Sequence, residues 1–301
     1  MTKGTLMTQI DEIYKQLVTK VLTEGQESAG DIRAHYVDGQ PAHTVYIPNA
    51  TSVTFTPEMG LPIITTKPVA TKSMLAELDW IWRKMSNNVE ELRQAGSTIW
   101  DEWEKSDGTI GPAYGAQLRK QVRTVPDRDL KLNQVEYVIH ELMNNPRSRR
   151  IMTTLYDVDD LDEMALEPCV FLTNWQVDDE NKLHLNVVQR SADLALGVPF
   201  NWAQYGVLHR RMAQVLGYEL GNMSWTIFNT HVYLRHKDLL LQQIHDVAQD
   251  EPVGLILPPV SGTPYVEFFG VPLTTAQVTN YHPNEGDKKP SERTYRYEVA
   301  I

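Results

Sequence analysis

The chain has 301 residues, of which 42% are hydrophobic, 22% charged and 9% aromatic, a composition typical of globular proteins that excludes disordered, collagen-like and coiled-coil chains. Its 39 acidic residues outnumber 28 lysines and arginines, and the formal net charge of −11 opposes broad binding to nucleic acid or to an anionic membrane. The single cysteine, Cys169, excludes an intrachain disulfide and a thiolate-rich metal site. No apolar run is long enough for a signal peptide or a membrane span, so we expect a cytoplasmic protein that binds no membrane.

We expect residues 1–301 to form one domain, because no internal repeat or low-complexity linker divides the sequence. Near the N-terminus, apolar residues recur at helical spacing at Ile10, Ile13, Leu17 and Val21. This pattern predicts a helix that ends near Gly25. Residues 31–66 are typical of turns and short strands.

Two more helices are predicted further along the chain. The apolar stripe of the first, over residues 71–85, consists of Met74, Leu78, Ile81, Trp82 and Met85. Glu77 and Asp79 lie on opposite edges of this stripe, and periodicity does not decide which carboxylate is withdrawn from water. A longer and more buried helix is predicted from about residue 200 to 216, directly after Pro199.

A hairpin is predicted from two strands, 168–177 and 182–190, which are joined by the polar turn at residues 178–181. If those four residues are the whole loop, Val177 pairs with Lys182. The same register places Cys169 opposite Arg190, and a one-residue slip would separate them.

A guanidinium beside the only thiol is predicted to lower the pKa of Cys169 and to raise its thiolate fraction.

A third strand, at about 224–234, is predicted to place Asn229, His231 and Tyr233 on one face. Structural interpretations of single residues stay open at this point. A lone cysteine is as readily core filler as nucleophile, and the arginines of the run PRSRR are more often a solvated surface cluster than an anion site.

Read together, several short motifs occur in an order that is specific to one family. They are LPIITTK (61–67), IWDEW (99–103), DGTIGPAYG (107–115), NNPRSRR (144–150), MALEPC (164–169), QRSAD (189–193), LGVPFNWAQY (196–205), THVYLRH (230–236) and a terminal VAI (299–301). The chain therefore resembles the folate-dependent thymidylate synthases that use a cysteine nucleophile.

The resemblance implies a three-layer α/β fold, in which a large mixed sheet is flanked by helices and packs sheet to sheet in an obligate homodimer. It implies reductive methylation of dUMP to dTMP, with 5,10-methylenetetrahydrofolate as donor of the one-carbon unit and the hydride. No metal is implied. Cys169 would be the nucleophile that attacks C6 of the uracil ring.

The resemblance also implies which residues bind dUMP: Arg149 and Arg150 of the partner subunit, with Gln189, Arg190, Ser191, Asp193, Asn201, His231 and Tyr233. Arg190, Ser191 and the two partner arginines match a phosphate clamp, for which guanidinium groups are well suited. Asn201 matches the asparagine that reads O4 and N3 of uracil, because an amide accepts and donates at once. His231 and Tyr233 match the pair that holds the deoxyribose hydroxyl.

The remaining matches concern proton transfer and folate. Glu77 matches the carboxylate that moves protons at the pyrimidine, with Tyr114 in the same network, and the resemblance thereby favours Glu77 over Asp79. The positions that match folate contacts are Lys67, Trp100, Trp103, Asp193 and the terminal carboxylate of Ile301. Closure of this terminus over folate would exclude water from the reacting centre.

The chain departs from the commoner family pattern at several positions. QPAHT (40–44) replaces a segment that follows a phosphate-binding arginine, and Arg33 is a candidate to supply that charge. Val170 follows the cysteine where histidine is common, and Phe228-Asn229 replaces Gly-Asp. The PAHT and PCV variants resemble a Bacillus-type branch of the family.

Three alternatives compete with a synthase. A dUMP hydroxymethylase of the same superfamily makes the same adducts but lets water, instead of hydride, finish the reaction. A non-catalytic nucleotide or RNA binder is opposed by the acidic balance and by the retained Cys169. A papain-like cysteine hydrolase lacks its motif around the thiol.

Overall fold

The computed structural model describes residues 8–121, 123–125, 130–284 and 294–301. Five strands form its central sheet. In spatial order they are β3 (Thr51–Phe55), β10 (Glu219–Ile227), β8 (Lys182–Gln189), β7 (Val170–Val177) and β6 (Met152–Thr154). The sheet is mixed, because β8 and β10 run parallel while the other neighbours are antiparallel. Side chains alternate between a buried face and a half-exposed face, as the period of two along a strand requires.

A second sheet begins where the strands β8 and β10 of the first sheet end. Its strands, in spatial order, are β1 (Gln26–Glu27), β2 (Thr44–Ile47), β11 (Thr230–Tyr233) and β9 (Ala192–Asp193). The chain passes from β8 into β9 through Arg190 and Ser191, and from β10 into β11 through Phe228 and Asn229. We call these four connecting residues the seam. The described residues also form two small two-stranded antiparallel sheets: β4 (Arg123–Val125) with β5 (Leu130–Leu132), and β12 (Gly254–Ile256) with β13 (Gln277–Thr279).

Helices flank these sheets, which confirms the mixed α/β fold. They are α1 (Gln9–Glu24), α2 (Thr71–Leu78), α3 (Val89–Gln94), α4 (Gly115–Arg119), α5 (Gln134–Asn144), α6 (Gly197–Leu216), α7 (Lys237–Ile244) and α8 (Pro264–Gly270). Thr8 caps the start of α1 and Gly25 ends it, so the predicted N-terminal helix is confirmed. Throughout the described ranges, every helix is too short or too polar to span a bilayer.

The helix predicted at residues 200–216 is confirmed, although it begins at Gly197. Pro199 lies in its first turn, where the missing N–H of proline costs no hydrogen bond. Most side chains of α6 are buried because the helix packs on the buried face of the central sheet. One contact between them joins His209 of α6 to the Leu183 carbonyl of β8, at 2.6 Å.

The predicted hairpin forms, but its register differs from the prediction by one residue over most of its length. Val177 pairs with Leu183, because Asp178 and Lys182 still bond across a shorter loop. Asn181 makes this loop possible by adopting a left-handed φ of 64°. Between Leu172 and Val170 a β-bulge shifts the register back. As a result the Arg190 N–H donates to the Cys169 carbonyl at 2.8 Å, and the two residues are neighbours as predicted.

The single strand predicted at 224–234 is wrong, since it is two strands that belong to different sheets. The break lies at Phe228-Asn229, where Asn229 adopts a left-handed φ of 44° that an extended strand does not contain. Strand β11 then continues with His231 and Tyr233 on one face. The predicted common face of these two residues is therefore correct, whereas Asn229 lies in the seam.

The region predicted as one helix over 71–85 is α2 followed by a π-helical turn, Asp79–Arg83. Both carboxylates at its edges are buried, and they face different partners. Asp79 accepts from Arg83 and from the Leu273 N–H, and therefore has a structural role. Glu77 is directed toward a different set of residues, described below.

Candidate active site

A cavity of about 830 Å³ opens at the seam between the two sheets, beside the start of α6. The residues predicted from sequence that line it are Cys169, Gln189, Arg190, Ser191, Asp193, Asn201, His231, Tyr233 and Trp103. These side chains come from separate parts of the chain, and the seam brings them together because both strand crossovers occur there. The geometry therefore joins a thiol, a guanidinium, two amides, an imidazole and a phenol around one space.

Cys169 lies just before β7 and is half-buried at the cavity wall. Its N–H donates to the Tyr114 hydroxyl at 3.2 Å, and its carbonyl accepts from the Arg190 N–H. Burial raises the pKa of the thiol above its usual range, although the charges of Arg190 and Arg33 act in the opposite direction. The predicted lowering of the Cys169 pKa is thus wrong for the net value, because the prediction included the guanidinium but not the desolvation.

Arg190 anchors the segment that precedes the cysteine. Its Nε donates to the Pro168 carbonyl at 3.1 Å and its Nη2 to the Glu167 carbonyl at 2.8 Å. The same guanidinium lines the cavity, where it can meet an anion. Arg190 therefore both positions the backbone of the thiol and contributes positive charge.

Arg33, which sequence comparison suggested as a replacement cation, is exposed and also lines the cavity. The segment that carries it is joined to the end of the chain, because His35 and Ile301 exchange two backbone hydrogen bonds of 2.9 Å. Val299 and Ala300 line the cavity next to this contact. The structure thus brings the C-terminal residues and Arg33 to the same rim.

Arg149 and Arg150 are exposed in the turn between α5 and β6, and they do not line this chain's cavity. Lys67 is buried away from the cavity, with its Nζ 5.0 Å from the centre of the Tyr297 ring. Arg149, Arg150 and Lys67 therefore lie outside the cavity. Four other residues predicted from the sequence also lie outside it: Glu77, Trp100, Tyr114 and Ile301.

Glu77 lies behind the cavity, in a buried layer. Trp100 donates its indole N–H to Oε1 of Glu77 at 2.5 Å, and Gln204 donates its amide to Oε2 at 2.5 Å. Burial raises the pKa of Glu77, while these two hydrogen bonds lower it. The Trp100 ring packs against Tyr114, with 5.1 Å between ring centres, and against Trp103, with 5.6 Å.

This layer links Glu77 to the thiol through aromatic groups. Tyr114 bonds the Cys169 N–H, and burial raises the pKa of Tyr114 well above its usual range, so the phenol keeps its proton. Trp103 lines the cavity, and its indole N–H has no hydrogen-bond partner among the described residues.

His231 and Tyr233 extend from β11 with their ring centres 5.3 Å apart. Nδ1 of His231 is 3.0 Å from the Asn229 carbonyl, which can only accept, so Nδ1 is the donor in this contact. Asp193 lies beside His231 in the neighbouring strand and uses Oδ1 to accept from the Ala195 N–H. Asn229 was predicted only as part of a strand face, and its contact with His231 gives it a positioning role.

Gln204 is not among the residues predicted from the sequence, although a signal is present. Gln204 follows Asn201 by three residues, which places both on the same face of α6. In the structure Asn201 Nδ2 donates to Gln204 Oε1 at 3.4 Å. Across the described ranges, no group of three or more histidine, cysteine, aspartate or glutamate residues is placed to hold a metal ion.

Comparisons with known proteins agree over nearly the whole chain. The family model described as thymidylate synthase matches residues 12–291. The thymidylate synthase of Bacillus phage phi3T and thymidylate synthase 1 of Bacillus subtilis (strain 168) are each 43% identical over 297 residues, which cover 98% of this chain and 100% of each relative. The solved structure of thermostable thymidylate synthase A from Bacillus subtilis superposes with a TM-score of 0.87 at 41% identity, over 98% of this chain and 100% of that one.

Proposed function

The chain belongs to the thymidylate synthase family, and on this premise we propose that it methylates dUMP to dTMP. In this reaction 5,10-methylenetetrahydrofolate supplies the one-carbon unit and the hydride and leaves as dihydrofolate. The observation that carries the proposal is the position of Cys169 in one cavity with Arg190 and Asn201. A nucleophile, a phosphate-binding cation and a base-reading amide are thereby within reach of one nucleotide.

Cys169 acts as the nucleophile. Its sulfur forms a bond to C6 of uracil, which makes C5 an electron-rich carbon able to take up the one-carbon unit, and the bond to sulfur breaks again when dTMP is released. The raised pKa of the thiol means that its proton must be removed before attack. Glu77 is assigned to proton movement at the pyrimidine, with Tyr114, whose hydroxyl accepts from the Cys169 N–H, in the same network.

The phosphate binds at the cationic rim. Arg190 and Ser191 contribute from the seam, and the exposed Arg33 supplies the charge that the QPAHT segment lacks. Arg149 and Arg150 of the partner subunit complete this clamp. Because the overall charge of the chain is −11, binding of a dianion depends on such a local group of cations.

The base and sugar are read by hydrogen bonds. Asn201 accepts from N3–H of uracil with its carbonyl and donates to O4 with its amide, and Gln189 supports it at 3.3 Å. His231 and Tyr233 bind the deoxyribose hydroxyl, for which Nε2 of His231, the ring nitrogen that Asn229 does not engage, is a suitable partner.

Folate has room in the same cavity, whose volume of about 830 Å³ is large for one nucleotide. Trp103 offers an aromatic surface, and Asp193 offers a carboxylate for a pterin N–H. Trp100 positions Trp103 and Glu77 from behind. Ile301, next to the cavity-lining residues Val299 and Ala300, would close the site, and Lys67, which lies buried outside the cavity, is proposed for the glutamate tail that extends beyond it.

The functional unit is a homodimer that packs sheet to sheet. Support comes from the half-exposed face of the central sheet, which carries side chains such as Asn174, Asn186 and Thr226, each half-buried in the single chain. Arg149 and Arg150 precede the edge strand β6 of this same sheet, so a second copy on the face would lie near them.

A direct test mixes the purified protein with dUMP and 5,10-methylenetetrahydrofolate and follows the absorbance change of dihydrofolate formation. Dihydrofolate formed in equal amount to dTMP supports the synthase. Conversion of dUMP without dihydrofolate would contradict it and would indicate the hydroxymethylase reaction, in which water completes the product.

A further inference from the structure

Two buried amides, the half-buried amide of Asn201 and one carboxylate form a continuous row of hydrogen bonds that runs from the cavity wall to the layer behind it: Gln189, Asn201, Gln204 and Glu77. We propose that Gln204 is a positioning residue that fixes the amide of Asn201 in the orientation that selects a uracil nucleotide over a cytosine nucleotide. The inference rests on the proposed function, since it concerns the base that the synthase site accepts.

One end of the row fixes the orientation of Gln189. The indole N–H of Trp225, which can only donate, bonds Oε1 of Gln189 at 2.9 Å. Nε2 of Gln189 must then donate, and it does so to the Ser191 carbonyl at 2.9 Å and to Oδ1 of Asn201 at 3.3 Å. Oδ1 of Asn201 is therefore placed on the side of Gln189.

The other end fixes the orientation of Gln204. Its Nε2 faces two acceptors, Oε2 of Glu77 at 2.5 Å and the Met74 carbonyl at 3.3 Å. Oε1 of Gln204 must consequently accept, and Nδ2 of Asn201 donates to it at 3.4 Å. Trp100 donates to the second oxygen of Glu77, which keeps the carboxylate in the role of acceptor on both sides.

Burial makes this orientation costly to reverse. Gln189 is 1% exposed and Gln204 is 3% exposed, so water cannot replace a lost partner. If the Asn201 amide flipped, its NH₂ would face the NH₂ of Gln189 and its carbonyl would face the carbonyl of Gln204. Each mismatch leaves a buried polar group without its hydrogen bond, which is unfavourable.

The fixed amide matches uracil. Asn201 retains one lone pair on Oδ1 and one hydrogen on Nδ2 for a ligand in the cavity, which fit the N3–H and O4 of uracil. Cytosine presents an acceptor at N3 and a donor at N4, and it would need the flipped amide. Selection against cytosine thus depends on Gln204 as well as on Asn201.

The test compares Gln204→Met, which keeps the side-chain length but removes both hydrogen-bonding atoms, with Gln214→Met. Gln214 lies on the same helix and bonds Arg211 and the Pro258 carbonyl, outside the cavity. Calorimetric titration with dUMP and with dCMP gives the two dissociation constants. Their ratio, the constant for dCMP divided by the constant for dUMP, measures the preference for dUMP. We expect Gln204→Met to reduce this ratio about tenfold, whereas Gln214→Met keeps the wild-type ratio.

A second variant, Gln204→Glu, separates the contact with Asn201 from the contact with Glu77. Because glutamate has the same shape as glutamine, a packing defect does not decide the result. Gln204→Glu keeps an oxygen that accepts from Asn201, but it places a second carboxylate beside Glu77, so the two must share a proton. We expect the dUMP preference to be retained while kcat falls and its pH profile changes. The titratable groups that face Glu77 here are the phenols of Tyr114 and Tyr205, whose pKa values its charge raises.

Loss of the preference in both variants, or its retention in Gln204→Met, would overturn the inference. Both of these outcomes are measured as affinities for dUMP and dCMP and do not depend on turnover. Failure of the wild-type protein to form dihydrofolate would instead count against the proposed function, so the two failures are distinguishable.

Discussion

At the scale of single residues, Cys169 is subject to opposing effects on its pKa. Burial disfavours the thiolate, and the charges of Arg190 and Arg33 favour it, with burial the larger effect. Because Arg190 also bonds the carbonyls of Pro168 and Glu167, its position does not depend on the thiol. The nucleophile can therefore be removed without loss of the binding groups around it.

This independence makes Cys169→Ala an informative variant. We expect it to abolish formation of dihydrofolate from dUMP and 5,10-methylenetetrahydrofolate, because Cys169 carries the only thiol of the sequence and is proposed to form the bond to C6. Binding of dUMP, measured by calorimetry, should stay within about tenfold of the wild-type affinity. Residual turnover at the wild-type rate would refute the assignment of Cys169 as nucleophile.

Glu77 leads to a prediction about pH dependence. Burial raises the pKa of its carboxyl group, and the hydrogen bond from Trp100 counteracts part of that effect. Trp100→Phe removes this donor but keeps an aromatic ring against Tyr114, so the pKa of Glu77 should rise further. If ionised Glu77 is the active form, the acid limb of the pH profile of kcat/KM then moves to higher pH, and kcat at neutral pH falls by about tenfold.

The matched control for this change is Trp80→Phe. The ring centre of Trp80 is 6.2 Å from that of Trp100, but its indole N–H donates to the Asn88 carbonyl and not to Glu77. This variant should lose stability without a shift of the acid limb. An unshifted acid limb in Trp100→Phe would argue against a role of ionised Glu77 in the rate.

At the scale of elements, the contact between α6 and β8 includes a buried histidine. His209 is 1% exposed and bonds the Leu183 carbonyl, and burial lowers its pKa from 6.5 to about 4. Between these pH values the unfolded chain binds a proton at this position that the folded chain does not. The free energy of unfolding therefore falls as pH decreases through this window, by about 3 kcal/mol at most.

His209→Gln keeps an N–H donor for Leu183 and removes the titration. We expect urea unfolding of this variant to show a smaller loss of stability between about pH 6.5 and pH 4.5 than the wild-type protein shows. His245→Gln, a substitution at an exposed position on the end of α7, serves as the control and should retain the wild-type slope. An unchanged slope in His209→Gln would contradict the assignment.

Sequence patterns predicted the helices α1 and α6 well, because the apolar residues of each recur at the spacing that places them on one face of a helix. They did not predict the register of the β7–β8 hairpin. That register depends on the left-handed Asn181 and on a bulge before Val170, which are local backbone choices that alternation of side chains does not report. The neighbours Cys169 and Arg190 were still found because the two departures cancel.

The site shows the same limit. Motif matches found the cavity residues, and periodicity alone left Glu77 and Asp79 equivalent, since both lie at edges of one apolar stripe. Their difference depends on distant partners: Gln204 and Trp100 for one, Arg83 and the Leu273 N–H for the other. The net pKa of Cys169 was missed for the same reason, because burial is a property of the packed chain.

At the scale of the whole molecule, a chain of net charge −11 must gather cations to hold a phosphate dianion. Arg33 and Arg190 lie at its own cavity, while Arg149 and Arg150 are exposed elsewhere, next to the sheet edge β6. If the two exposed arginines serve the other subunit, each site is built from two chains. Defects in different chains should then complement one another.

The prediction concerns a heterodimer purified with two different tags, one chain carrying Cys169→Ala and the other carrying both Arg149→Ala and Arg150→Ala. Each homodimer should be nearly inactive. The heterodimer has one site with an intact Cys169 and intact arginines from the partner, so about half of the wild-type kcat per dimer is expected. The control pairs Cys169→Ala with Arg190→Ala, and it should stay inactive because Cys169 and Arg190 belong to the same site of the same chain. Equal inactivity of both heterodimers would show that the arginines do not act across the interface.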